Sequence, residues 1–289
     1  MKTKFTISVF VFSLLLISSC SKTINYEEEK SYIKKEKSIT YYKGSPFTGI
    51  LNRKGDNLIL GSQRTFNEGV LVKDITYFPD KNIKEIKNFN TNGKIDGEHI
   101  SYFKNGHIKS KRNYKDGKQN GRTSLYFENG QIEFDGNIKD GKNDGENITY
   151  FENGQIKIKR NFKDGELDGE NISYFENGKI KSKSNFKDGK QNGRTSLYFE
   201  NGQNEKDLNF KDGELDGENI SYFKNGKIKS KSNFKDGELD GKNITYFENG
   251  QIEKDLNFKD GKFDGENILY FENGKIKEKR NYKDGKQNL

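Results

Sequence analysis

Read for the alternation of apolar and polar positions, most of this chain is one short pattern repeated. Tyr102, Tyr126, Tyr150, Tyr174, Tyr198, Tyr222, Tyr246 and Tyr270 stand 24 residues apart, and each is followed by Phe. At the same 24-residue spacing, Asn-Gly recurs eight times, from 105–106 to 273–274, and Asp-Gly eight times, from 116–117 to 284–285. Between these dipeptides the residues alternate with period two, as half-buried strands do. In one copy, Gln155–Lys163 and Glu166–Glu176 read as strands of nine and eleven residues. Two turns of two residues complete the 24, leaving no room for a helix or a long loop. A fixed period of this size predicts a repeat architecture. The expected fold is all-β: an elongated single-layer antiparallel sheet of tandem β-hairpins. With strands about 4.8 Å apart, eight repeats make a twisted ribbon of roughly 75–80 Å.

Asn-Gly and Asp-Gly are the preferred pairs of type I′ hairpin turns, which need positive φ at both central residues. Asn153-Gly154 and Asp164-Gly165 are therefore both expected to be two-residue turns. The register follows, because directly opposed residues share a face. Phe175 then opposes Ile180, Tyr174 opposes Lys181, Ile172 opposes Lys183 and Phe162 opposes Leu167. Gly169 opposes Phe186, whose ring can lie over the glycine. One face collects Phe151, Ile156, Phe162, Leu167, Phe175, Ile180 and Phe186, with Ser and Asn between. This is the candidate binding face, since a single sheet bearing it must curl, pair with another copy or receive a partner. The other face carries acidic and basic strands in alternation, with Lys stems available to cover Ile172 and Tyr174.

Upstream, the pattern weakens. Tyr77-Phe78, Phe89 and Asn92-Gly93 fit the repeat with one residue inserted, and Tyr41–Gly49 reads as a divergent first unit. Residues 50–76 read as an irregular N-terminal cap. The expected organisation is thus 41–96 for divergent repeats and cap, and 97–289 for eight 24-residue repeats.

Composition sharpens the picture without changing it. Hydrophobic residues are only 29% and charged residues 33%, close to the balance of disordered chains, but aromatics at 13% recur on a fixed spacing. The absence of Ala argues against helix. The net charge is +8, yet Lys alternates with Glu and Asp on a short scale, which excludes nucleic acid as the expected partner. His99 and His107 are the only histidines and read as surface substitutions. Without cysteine partners they do not make a zinc site. Asp140–Gly145 lacks the spacing and terminal Glu of a calcium loop. No phosphate loop or nucleophile motif stands out, and identical repeats offer no unique carboxylate pair with separated pKa values. No catalytic residue, metal or cofactor is expected; the chain does not read as an enzyme.

The N-terminus carries an address. Lys2 and Lys4 precede an apolar run from Phe5 to Ile17, too short to span a bilayer but suited to export. Residues 1–19 read as a lipoprotein signal peptide. Ile17-Ser18-Ser19-Cys20 resembles the bacterial lipobox, and Cys20, the sole cysteine, is the expected lipidation site. A lone thiol also excludes an intramolecular disulfide. Ser21 after the cysteine resembles the outer-membrane sorting pattern of Gram-negative lipoproteins. Residues 20–40 are densely charged and read as a solvated tether.

Repeats of the form G-E-N-I-S-Y-F-E-N-G-x-I-K-x-K-x-N-F-K-D-G resemble the bacterial MORN-repeat variant over about residues 41–289. The chain keeps the tyrosine and later glycines of the standard motif and lacks its tryptophan. The resemblance implies elongated sheets of hairpins and links to membranes, lipids or protein scaffolding. The variant also occurs in YwqK-type antitoxins of toxin–antitoxin systems. The expectation is a non-catalytic envelope lipoprotein, attached to the membrane by lipid on Cys20, whose ribbon binds or scaffolds another protein or envelope component. The alternative is an antitoxin or immunity protein that neutralises a toxin.

Overall fold

The structure, a computed structural model, describes residues 22–55 and 60–288. Ile17, Ser18, Ser19 and Cys20 lie outside the described residues. The chain forms one open sheet of 25 strands among those residues, with a second sheet of three strands at its N-terminal end.

The N-terminal unit comprises β1 (Lys22–Asn25), α1 (Tyr26–Glu29), β2 (Ile33–Glu36), β3 (Ile39–Tyr42), β4 (Ser45–Pro46), β5 (Gly49–Lys54), β6 (Leu60–Asn67), β7 (Val70–Tyr77) and β8 (Ile83–Asn88). Strand β1 lies parallel to β5, from Lys22 opposite Gly49 to Asn25 opposite Asn52, and covers that edge of the long sheet. Gly49 permits the approach: a Cβ there would stand 2.3 Å from the Lys22 carbonyl oxygen. Strands β2, β3 and β4 form the second sheet. Backbone bonds join it to the β6–β7 turn, from Thr40 N–H to the Gly69 carbonyl (2.8 Å) and from Gly69 N–H to the Phe47 carbonyl (2.7 Å). Ile24, Tyr42, Phe47, Leu51 and Phe66 make a buried cluster, with Tyr26, Ile33 and Leu71 against it. The solvated tether expected over 20–40 is thus corrected for residues 22–40. Charge dominates that stretch, but Ile24, Tyr26 and Ile33 alternate or space correctly to reach this cluster, and their burial offsets the cost of ordering the chain.

From β5 onward every strand pairs antiparallel with its successors in chain order, through hairpin after hairpin, to Lys286–Asn288. This is the predicted ribbon. Its register agrees with expectation along the middle of the hairpins and departs at their ends. Phe162 opposes Leu167, Ile172 opposes Lys183 and Gly169 opposes Phe186, as expected. The Asp-Gly turn is type I′, with φ of +51° at Asp164 and +95° at Gly165.

The Asn-Gly turn is different. Gly154 has φ +83°, but Asn153 is not in the left-handed region. Phe151 N–H donates to the Gln155 carbonyl (2.8 Å), and Gly154 N–H donates to the Phe151 carbonyl (2.9 Å). This is a three-residue loop, a type I turn closed by a left-handed glycine. The extra loop residue shifts the pairing by one, so Tyr150 opposes Ile156 and Tyr174 opposes Ile180. A bulge at the next residue, Lys157 or Lys181, restores the register. Ile156 and Ile180 therefore share the tyrosine face. The expected pairing of Phe175 with Ile180 is corrected for the same reason.

Candidate functional site: the two faces of the ribbon

Each hairpin is built by its asparagines; Asn153 was expected in a turn, but the bonds made by its side chain and by those of Asn147 and Asn161 were not foreseen. Asn153 Oδ1 accepts the Gln155 N–H at 2.9 Å, closing its own turn, and the same bond recurs at Asn177 and Asn249. Its Nδ2 reaches the Glu176 carbonyl of the next repeat at 3.4 Å. On the opposite margin, Gly165 N–H donates to the Asn143 carbonyl (2.9 Å), tying the Asp-Gly turn to the hairpin before it. Asn161 Nδ2 donates to the Glu170 carbonyl (3.1 Å) across the bulge around Gly169. Asn147 Oδ1 accepts the Asn137 N–H (3.0 Å). The signal available in the sequence was that the equivalents of Asn153 and Asn161 are Asn in all eight repeats, whereas the Asn147 position holds His99, Thr123 and Thr195 in three of them.

The tyrosine face neutralises itself. Lys159 meets Glu146 (2.6 Å) and Lys183 meets Glu170 (2.5 Å). Lys279 meets Glu266 in the same way. In three other repeats the signs are exchanged: Arg122 pairs Asp135 (2.6 Å), Arg194 pairs Asp207 (2.8 Å) and Lys242 pairs Asp255 (3.1 Å). In all six the partners are 13 residues apart, and the polarity reverses as a unit. Asp207 is the buried member, bonded also by Ser196 Oγ (2.6 Å), Asn204 Nδ2 (3.2 Å) and Tyr222 Oη (3.2 Å). Burial pushes its carboxyl up, but the hydrogen bonds from Arg194 and Ser196 outweigh that and hold it below the usual carboxylate range. The Arg122 guanidinium holds Asp135 down in the same way. Ile172 is buried between Lys159 and Lys183, the covering role foreseen for lysine stems.

The phenylalanine face holds Phe151, Phe162, Leu167, Phe175 and Phe186, all half-buried. Phe151 and Phe175 lie by the Asn-Gly margin, and Phe162, Leu167 and Phe186 by the Asp-Gly margin. Among the described residues, the same groove recurs between adjacent Phe residues of the Asn-Gly margin. One, of about 540 Å³, has Phe175 and Phe199 as walls, Ser182 and Leu197 below, and Lys181 and Glu205 at its rim. Its counterparts lie between Phe78, Phe103 and Leu125 (about 790 Å³) and between Phe223 and Phe247 (about 400 Å³).

Among the described residues no group of three or more His, Cys, Asp or Glu side chains is placed to hold a metal. The two histidines are not brought together. His99 is buried rather than superficial, with Nε2 2.8 Å from Glu85 Oε1, and His107 Nδ1 lies 2.9 Å from the Glu128 carbonyl. Burial raises the Glu85 carboxyl, and hydrogen bonds from Lys87 and His99 more than reverse that.

The MORN repeat variant model matches residues 95–116, 119–140, 143–164, 167–188, 215–236, 239–260 and 263–284, together more than half of the chain. Residues 191–212, between two matched units, form the same hairpin, with Gly193 opposite Phe210. No curated protein matches. Among solved structures, the TcdB2–TccC3–Cdc42 complex is 10% identical over 76% of this chain and 16% of that one, with a TM-score of 0.19. TcdB2–TccC3 is 11% identical over 83% and 17%, with a TM-score of 0.18. The Photorhabdus luminescens Tc holotoxin pore is 14% identical over 83% and 15%, also at 0.18. This chain spans about one sixth of each, and scores this low carry no argument. The family rests on the matched units and the hairpins they form: the chain belongs to the MORN repeat variant family.

Proposed function

We propose that this chain is a non-catalytic lipoprotein of the bacterial cell envelope whose ribbon binds or scaffolds another protein. The observation that carries the binding role is the recurrence of one groove along one face of a single-layer sheet, at repeats separated by tens of ångströms. A catalytic site concentrates unlike groups at one place, whereas a repeated groove multiplies weak contacts along an extended partner. The envelope address rests on the sequence Ile17-Ser18-Ser19-Cys20. Lipid on Cys20 anchors the chain, in the outer membrane if the cell is Gram-negative.

Two measurements test this. Cys20→Ser is expected to move the protein from the membrane pellet to the soluble fraction; retention in the pellet overturns the anchor. Lysine crosslinking in intact cells is expected to yield one discrete protein adduct, and its absence overturns the binding role. An adduct that is a cytotoxic effector encoded beside this gene would favour the antitoxin reading instead.

A further inference from the structure

The two faces treat charge differently. On the tyrosine face, acid and base pair within their own hairpin. On the phenylalanine face, one charge per repeat stands at the bulge beside the Asn-Gly turn: Lys109, Glu133, Lys157, Lys181, Glu205, Lys229, Glu253 and Lys277. Among the described residues, no ion pair joins any of these eight to another side chain. The five lysines are exposed. Each is held over the Phe ring of its own turn, with Nζ 5.6–5.9 Å from the ring centroid. A ring beneath the ammonium keeps the lysine over the groove rather than sweeping through solvent. Arg112 and Lys254 line grooves of the same face, which makes it net basic.

The order of signs along the row restricts what fits it. A continuous polyanion, such as an anionic bilayer, meets repulsion at three of the eight positions. A polypeptide does not, because it can place acids opposite the lysines and leave other residues opposite Glu133, Glu205 and Glu253. The grooves ask for something more. Each lies where a lysine repeat is followed by a glutamate repeat, and each is walled by Phe, so it takes an apolar side chain with an acidic residue on its lysine side and an uncharged or basic one on its glutamate side.

We propose that the phenylalanine face is a docking surface for an acidic polypeptide lying along the Asn-Gly margin. Its carboxylates pair with the ring-held lysines and its apolar side chains enter the grooves between successive Phe residues. This rests on the protein-binding role proposed above and names the face and the chemistry of the partner. The lysines set the charge selectivity and the association rate, and the grooves set the register of the partner.

The test uses the mature chain purified without its signal, and so is independent of where the protein resides. The probe is a soluble fluorescent peptide in which Glu alternates with Leu; a Lys-Leu peptide and vesicles containing phosphatidylglycerol serve for comparison. The acidic peptide is expected to bind, more weakly as salt rises. The triple variant Lys109→Glu, Lys181→Glu, Lys229→Glu should weaken it at least about tenfold. Exchanging the pair on the other face, Glu170→Lys with Lys183→Glu, should leave it unchanged. The triple variant Glu133→Lys, Glu205→Lys, Glu253→Lys should gain vesicle binding that the native chain lacks. The proposal is overturned if the Lys-Leu peptide binds equally well, if the lysine variant binds as the native chain does, or if the native chain binds vesicles as strongly as the all-lysine row. It is equally overturned if the acidic peptide does not bind at all. A discrete crosslinked adduct in cells would then leave the binding role standing with a different surface.

Discussion

The two ends of this molecule stay folded by different means. The N-terminal unit packs a second sheet over the first and buries Ile24, Tyr42, Phe47, Leu51 and Phe66 between them. Among the described residues the repeats add one buried apolar side chain, Ile172; their other buried groups are polar, such as Thr123, Asn147, Ser184 and Thr195. The cap is held by removal of apolar surface from water. The array is held by ladder hydrogen bonds, asparagine bridges and pairs of charges, each modest and each renewed every 24 residues. An open single layer leaves both its faces available, and a conventional core would have used one of them.

The sharpest way to break the comparison is to strike the cap. Phe47→Ala removes a ring that is 4% exposed and lies 5.8 Å from both Tyr42 and Phe66. The expected cost is about 3–5 kcal/mol. Amide exchange should show protection lost from β1 to β7 and retained in the last four repeats; uniform loss would mean the two regions are one cooperative unit.

The next test strikes the array. Gly169 has φ +101°, a conformation closed to β-branched residues. Gly169→Val is expected to cost about 2–3 kcal/mol. The nearest-neighbour character of repeats confines the damage to its own hairpin and those adjoining it, measurable by the same exchange experiment. Collapse of all eight repeats would show that the array unfolds as one cooperative unit.

A smaller effect is expected at Asp207. Asp207→Asn forfeits charge-assisted bonds from Arg194 and Ser196, at about 2 kcal/mol near neutral pH. The folded carboxyl titrates below its unfolded value, so its contribution is present above the unfolded pKa and is lost as pH falls through the folded one. The difference in denaturation midpoint between native and variant should therefore shrink below about pH 4. A gap that persists or widens on acidification would contradict the assignment.

The smallest effect is the most diagnostic. Six repeats satisfy the same pairing with either polarity, so Glu170→Lys combined with Lys183→Glu should leave the midpoint unchanged, while either single change lowers it. A double-mutant cycle with no coupling would show that the pairs are incidental.

Much of the ribbon was legible in the sequence because its period is strict and its Asp-Gly turns have one backbone solution. The Asn-Gly turns were misread for a specific reason. The dipeptide is compatible with two loops, and the choice lies in whether the Asn side chain accepts a backbone N–H two residues on, as Asn153 does from Gln155. That one-residue difference moved Ile156 and Ile180 to the other face and put Lys157 and Lys181 beside the phenylalanines. The cap was obscured differently. Its first strand and turn read as charge because the apolar residues that matter, Ile24, Tyr26 and Ile33, are scattered singly among Lys and Glu, and their partners lie far along the chain.

The parallel pairing of β1 with β5 has a mechanical consequence. Strand β1 begins at Lys22, two residues after Cys20, so an acylated Cys20 would have almost no slack before the fold begins. A pull on the far end of the ribbon, whose long axis runs across its strands, would reach the bilayer through the bonds between β1 and β5, loaded across the strands and opened first at the Lys22 end. A long charged leash would absorb such a load and let the body swing. If Cys20 is acylated as proposed, the attachment would behave as a short foot, and the tilt of the ribbon above it would be set at its base.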